Sequence, residues 1–150
     1  MQKRASFIPQ DSNPLYEKFI NYVMQRGKKT TARKIFKDAM EIIGTKTKED
    51  PTKIFNKALD NIKPQMEVKP KRIGGAIYQI PREVNANRQI TLAFRWLIGA
   101  ARSGKGSAMA ERLAQEVMHA AESQGVAMKK KEDTHRMAAA NKAFAHYARY

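Results

Sequence analysis

The chain has 150 residues and pairs 29 Lys and Arg with only 14 Asp and Glu, a formal net charge of +15. That length sets one domain as the expectation, and 42% hydrophobic residues are enough for a core. The charge points to a polyanionic partner, nucleic acid or an anionic membrane surface, while zero cysteines exclude disulfides and thiolate metal sites.

Residues Met1 to Asn13 lack periodicity and read as a basic N-terminal arm carrying Lys3 and Arg4. The arm has no apolar h-region, so it does not read as a secretory signal. No apolar run approaches the roughly 20 residues that span a bilayer. Pro14 opens a first helix, where its missing N–H does no harm. Leu15, Phe19, Ile20, Val23 and Met24 form its apolar stripe, and Gly27 is expected to close it. A basic turn follows with Arg26, Lys28, Lys29, Arg33 and Lys34, and Thr30 or Thr31 is the expected cap of the second helix.

The second helix is predicted from Thr31 to Thr45, with Ala32, Ile35, Phe36, Ala39, Met40, Ile42 and Ile43 inward and Gly44 as its stop. Asp50-Pro51 is a cap and first-turn pair for a third helix. Ile54, Phe55, Ala58, Leu59 and Ile62 form its buried face, and Pro64 ends it.

From Glu67 to Asn85 the period changes, with glycines and prolines between alternating runs. Two strands are predicted, Met66–Ile73 and Ala76–Glu83, turning at Gly74-Gly75, because a two-residue hairpin turn needs positive φ. Pro70 and Pro81 are tolerable where every strand is an edge. Alternation puts Lys69 and Lys71 on one face and Arg72 on the other, with Arg82 following in the return strand. A ribbon cationic on both faces cannot lie on an apolar core, since unpaired buried charge is costly. It is expected to project toward a polyanion; the bland alternative is a solvated hairpin whose lysines only discourage edge pairing. Tyr78, beside the tip, is placed to stack on an unpaired base.

A fourth helix is predicted from Asn87 to Arg102, with Leu92, Ala93, Trp96, Leu97 and Ala100 inward; Trp96 reads as a core anchor, with a base-stacking platform as the alternative. A fifth runs from Ser107, its expected cap, to Ser123, with Met109, Leu113 and Val117 in its stripe and Gly125 ending it. A sixth covers Lys130 to Tyr147, with Met137, Ala140, Phe144 and Tyr147 inward. The fold class is therefore mainly α: a six-helix domain with an extruded two-stranded β-ribbon between helices three and four. Residues 1–150 are expected to form one unit, with 1–13 as the arm and 66–84 as the ribbon.

Residues Gly99 to Ser107 nearly match the phosphate-binding loop, but Gly106 stands where the metal-binding hydroxyl belongs and Gly99 falls inside a helix rather than after a strand. His119, His135 and His146 share no metal-ligand spacing and read as surface or helix-end residues. Glu111, Glu116 and Glu122 alternate with basics on solvated faces. No nucleophilic or paired-carboxylate arrangement stands out. No cofactor, metal, catalytic residue or small-molecule substrate is expected. The remaining signal is basic clustering: Lys3 and Arg4; Arg26 to Lys34; the ribbon with Arg88 and Arg95; Arg102 with Lys105; and Lys129, Lys130, Lys131 with Arg136. Many cations on one surface give strong, salt-dependent phosphate binding with little sequence reading.

The segments KFINYVMQRGKK, EDPTKIFNKALDNIKP, VKPKRIGGAIYQIPREV, LAFRWLIGAAR, MAERLA and KKKEDTHRMAAANKAFAHYAR, in that order, resemble the bacterial-type small-subunit ribosomal protein seven family. The resemblance covers nearly everything from Pro14 to Tyr150. It implies a non-enzymatic protein that binds the 3′ major domain of small-subunit rRNA and helps nucleate assembly of the subunit head. It implies rRNA contacts at Gly27, Lys28 and Lys29, at Arg95 and Arg102, and along Lys129 to Arg136. It places Arg72, Gly74, Gly75 and Tyr78 beside the messenger exit path and the exit-site tRNA. It implies proteins nine and eleven of the subunit as neighbours, and a bacterial cytoplasmic or organellar ribosome as the location. Two rivals stand beside it. One is an architectural DNA-binding protein whose cationic arm enters a minor groove. The other is an enzyme that holds a nucleotide in the Gly99–Ser107 loop through Lys105.

Overall fold

The computed structural model describes residues 13–149, and the side chains among them through residue 148. The basic arm with Lys3 and Arg4 lies outside the described residues. In chain order the elements are α1 (Pro14–Val23), α2 (Lys29–Thr47), α3 (Pro51–Ile62), β1 (Met66–Ile73), β2 (Ala76–Glu83), α4 (Ala86–Ser103), α5 (Met109–Ala121), α6 (Val126–Ala140) and a 3-10 helix (Lys142–Arg149).

Local chemistry sets most boundaries. Asn13, Asp50 and Asn85 cap α1, α3 and α4, each carboxamide or carboxylate oxygen accepting a backbone N–H at 2.9–3.0 Å. The strands pair antiparallel, Met66 with Glu83 through Ile73 with Ala76, on the predicted bounds. Gly74 and Gly75 turn the ribbon with φ of 58° and 86°, the left-handed pair that a tight hairpin demands.

Helices α1 to α6 share one core. Phe19, Phe36, Phe55 and Phe94 meet at its centre with ring centroids 5.0–5.7 Å apart, mostly edge to face. Tyr16 and Tyr22 flank them. Helix α5 runs through the middle and packs on α2, α3, α4 and α6 through Leu113, Ala114, Val117, Ala120 and Ala121.

Several expectations need correction. Helix α1 ends at Val23, before Gly27, and α2 starts at Lys29 with no side-chain cap. Arg26 and Gly27 both take positive φ, 55° and 73°, and so deliver Lys28 to the cap position. Gly44 does not stop α2; a β-carbon there would lie 3.0 Å from Pro51 Cγ, so it serves the close approach of α3. The helix stops instead at Lys48, left-handed at φ 55°, whose N–H reaches the Gly44 carbonyl at 3.0 Å. Ser107 does not cap α5; Ala108 stands there without a side-chain bond. Ser123, with φ 57°, closes α5 by sending its own N–H to Ala120 and the Gln124 N–H to His119. Gly125 then precedes α6 as its first cap residue.

The predicted sixth helix is two elements. Asn141 stands at the break as the cap of α6, its backbone N–H and its side chain both donating to the Met137 carbonyl, at 3.1 and 2.8 Å. Met137 is 45% exposed and Ala140 is exposed; Ala127, Met128 and Ala138 are the buried face. Trp96 is half-buried at the edge of the core rather than at its centre.

Candidate nucleic-acid interface

The ribbon does not project free along its whole length. Pairing puts Glu67, Lys69, Lys71, Tyr78, Ile80 and Arg82 on one face. Arg82 therefore sits opposite Glu67 on the lysine face, not with Arg72. Helix α6 and the 3-10 helix pack on the ribbon. Tyr78 lies 5.0 Å from the Phe144 ring and 5.8 Å from Tyr147, and the Lys71 ammonium donates to the Tyr147 carbonyl at 3.1 Å. The ring expected to stack on a base is half-covered by the protein's own aromatics. What remains open is the tip and the end of the other face beside it: Arg72, its cross-strand partner Ile77 at 69% exposed, and Gly74 and Gly75. Lys69, Lys71 and Arg82 also line a cavity of about 340 Å³ against Tyr147 and Ala148.

A buried carboxylate roots the ribbon. Glu67 accepts from Arg82 Nε at 2.9 Å and Nη2 at 2.6 Å, and lies 3.5 Å from Arg88 Nε. Glu17 plays the same part under α2. It accepts from the Arg33 guanidinium at 2.5 and 3.2 Å and lies 3.5 Å from Lys29 Nζ. Lys29 also donates to Asn21. In both clusters two cations share one acid, so a positive charge is left over at the surface.

Helix α4 joins these groups. Arg88, Arg95 and Arg102 are seven residues apart, two helical turns each, so they lie on one stripe about 21 Å long. Arg95 and Arg102 are exposed. Lys130 of α6 reaches over Gly99, its Nζ 3.9 Å from where a β-carbon would stand, and adds its charge between Arg95 and Arg102. The stripe runs from the Glu67 cluster at the ribbon base to the α1–α2 turn, where Arg102 Nη2 donates to the Val23 carbonyl at 3.2 Å. There Arg26, Lys28, Arg102 and Arg112 surround a cavity of about 540 Å³. Arg112 was not among the sequence candidates. It reads as one more solvated helix cation, but its guanidinium closes the α4–α5 turn by donating to the Arg102 and Gly104 carbonyls. Lys34 and Lys105 are exposed nearby in sequence to the turn and the loop, and Arg136 is exposed on α6 with Asp133 at 3.0 Å.

The histidines are helix-end or peripheral. His135 accepts the Gln65 N–H at 3.1 Å, and burial, aided by Lys131, lowers its pKa below the ordinary 6.5. His146 lies 4.0 Å from the Tyr147 ring. No described helix is long and apolar enough to cross a membrane.

The family model described as ribosomal protein S7p/S5e matches residues 2–142. Among curated relatives, a protein of Thermotoga petrophila is 51% identical over 151 aligned positions, covering 97% of each chain. A protein of Solidesulfovibrio magneticus is 54% identical over 93% of this chain and 89% of its own, and one of Marinobacter nauticus is 53% identical over 87% and 83%. Each is named small ribosomal subunit protein uS7. The helical bundle, the ribbon between α3 and α4, the cationic stripe and these matches agree, and the chain belongs to the ribosomal protein S7p/S5e family, whose members are structural, non-enzymatic components of the ribosome.

Proposed function

We propose that this chain acts as a single rRNA-binding domain of the small ribosomal subunit, holding the 3′ major domain and helping to nucleate assembly of the subunit head. The observation that carries this reading is the α4 stripe of Arg88, Arg95 and Arg102, with Lys130 across it and Arg26, Lys28 and Arg112 at its end. Charges spaced over about 21 Å on a rigid helix suit closely packed RNA phosphates better than a point ligand. Lys29 and Arg33 belong to the same surface, their shared acid Glu17 only partly cancelling them. Lys34, Lys105 and Arg136 extend it, and Lys3 and Arg4 would do so from the arm.

The ribbon has a second role in this reading. Its open side, with Arg72, Gly74 and Gly75, faces the messenger exit region and exit-site tRNA, while Lys71, Tyr78 and Arg82 are engaged by the 3-10 helix and Glu67 and shape the ribbon. Proteins nine and eleven of the subunit are the expected neighbours. No observation favours the DNA-binding or nucleotide-binding rivals. Gly99 lies inside α4, so the Gly99–Ser107 run has no strand before it.

The test is a binding titration against the folded 3′ major domain at several salt concentrations, with duplex DNA and unrelated RNA as competitors. Binding that resists the competitors supports the reading. Binding that both competitors erase equally refutes it and leaves a general polyanion binder.

A further inference from the structure

The cavity at the end of the stripe has more than charge. It lies between the end of α1, the α1–α2 turn, the first turns of α2, the end of α4 and the start of α5. Its apolar lining is Val23, Ala32, Ile35 and Met109, of which Val23 and Ala32 are buried and Ile35 and Met109 offer most of the open surface. Its rim carries Arg26, Lys28, Arg102 and Arg112, and no described acidic residue lines it. Gln25 and Thr31 add uncharged polar side chains. The volume of about 540 Å³ falls within the range of pockets that enclose small organic ligands.

A phosphate alone would need only the rim. A duplex would have to unpair and flip a base to pass the rim, at a cost that an already unpaired nucleotide does not meet. An apolar wall behind a ring of cations suits a group with a flat apolar body, hydrogen-bonding edges and an attached anion. We propose that the cavity receives one unpaired nucleotide of the bound RNA. Its base lies against the Val23, Ala32, Ile35 and Met109 wall, and its phosphate lies on the cationic rim. The assignment rests on the RNA-binding reading above and names what part of the RNA this end of the stripe takes. The stripe of α4 leads the backbone to the cavity mouth, and Arg112, in the cavity lining, also holds the α4–α5 turn beside it.

Thr31→Phe tests it. Thr31 is exposed on the first turn of α2, so a phenyl ring there fills the mouth without entering the core or removing a charge. The probes are the transcribed 3′ major domain and base-specific chemical modification of it. Wild-type protein is expected to shield the base of a discrete unpaired nucleotide. Thr31→Phe is expected to expose that base, to weaken binding about tenfold, the scale of one lost base stack, and to leave the salt slope unchanged because no phosphate contact is lost. Arg26→Gln with Lys28→Gln is expected to do the reverse and lower the slope. If the substituted protein binds with wild-type affinity and the same base shielding, the cavity assignment falls while the RNA reading stands. A weaker affinity with a lowered slope would mean a backbone contact only, and would also overturn it. If wild-type binding does not resist duplex DNA, the RNA reading itself fails and takes the assignment with it.

Discussion

Glu67→Gln asks what holds the ribbon to the bundle. The carboxylate is buried, takes two hydrogen bonds from Arg82 at 2.6 and 2.9 Å, and lies 3.5 Å from Arg88. A charge pair at that distance in an effective dielectric of about 20 attracts by roughly 5 kcal/mol. Removing a carboxylate from water costs several kcal/mol, which offsets much of that. Both guanidiniums are about 40% exposed, 42% for Arg82 and 39% for Arg88, so water screens part of the remainder. Glutamine keeps an acceptor but leaves two arginines without their anion. The expected net loss is about 2 kcal/mol, within the scale of hydrogen bonds to charged groups. Urea unfolding followed by circular dichroism measures it. The midpoint should fall by about 1 M with the slope unchanged. Asp60→Asn is the control, because Asp60 is 71% exposed and its Lys63 pair belongs to the class worth less than about 1 kcal/mol. If Glu67→Gln moves the midpoint no more than Asp60→Asn, the carboxylate does not root the ribbon.

The other predictions concern the surface and pH. Arg95→Gln, exposed in mid-stripe, should lower the salt slope of RNA binding by about 1 without changing thermal stability, as filter binding and a melting curve would show. Lys71→Ala with Arg72→Ala should weaken binding to the 3′ major domain by less than about tenfold; a larger loss would put the ribbon tip on that RNA. The same pair should make the 3-10 helix more accessible to protease, because the Lys71 bond to Tyr147 is gone. His135 is neutral-favouring when folded, so its contribution is complete above about pH 6.5 and is lost as pH falls from there toward its lowered folded value. Urea midpoints should drop over that window, and His135→Gln should flatten the drop.

The ribbon and the start of α3 are readable because their chemistry is local. Gly74-Gly75 admits few turns, and Asp50 satisfies the Thr52 N–H two residues away. Asn13 and Asn85 cap α1 and α4 by equally local bonds, yet the sequence reading names neither as a cap. The misreadings come from contacts distant in the chain. Gly44 looked like a stop, but Pro51 explains it. Tyr78 looked free to bind a base, but residues 66 and 69 positions later cover it. The sixth helix was drawn too long because Phe144 and Tyr147 keep helical spacing after Asn141, although they serve the ribbon and not the bundle core. The cationic clusters were visible as composition, but their arrangement was not. Arg33 and Arg82 could not be assigned to Glu17 and Glu67 without knowing which turns bring them together. Arg112 carried no local signal, because its partners are carbonyls at the end of the preceding helix.

The strap that the 3-10 helix lays across the ribbon has a consequence for synthesis. Helices α1 to α3 can begin to pack on each other as soon as they emerge, and a hairpin closes within about 1–10 μs. The docked face of this hairpin, however, is completed by residues from α6 and from 142–148, which are translated more than 40 residues after β2. During that interval Tyr78 and the lysine face have no cover. The hairpin is thus made midway through the chain and fastened only at its end, and a nascent chain stalled before α6 would present a longer cationic finger than the finished protein does.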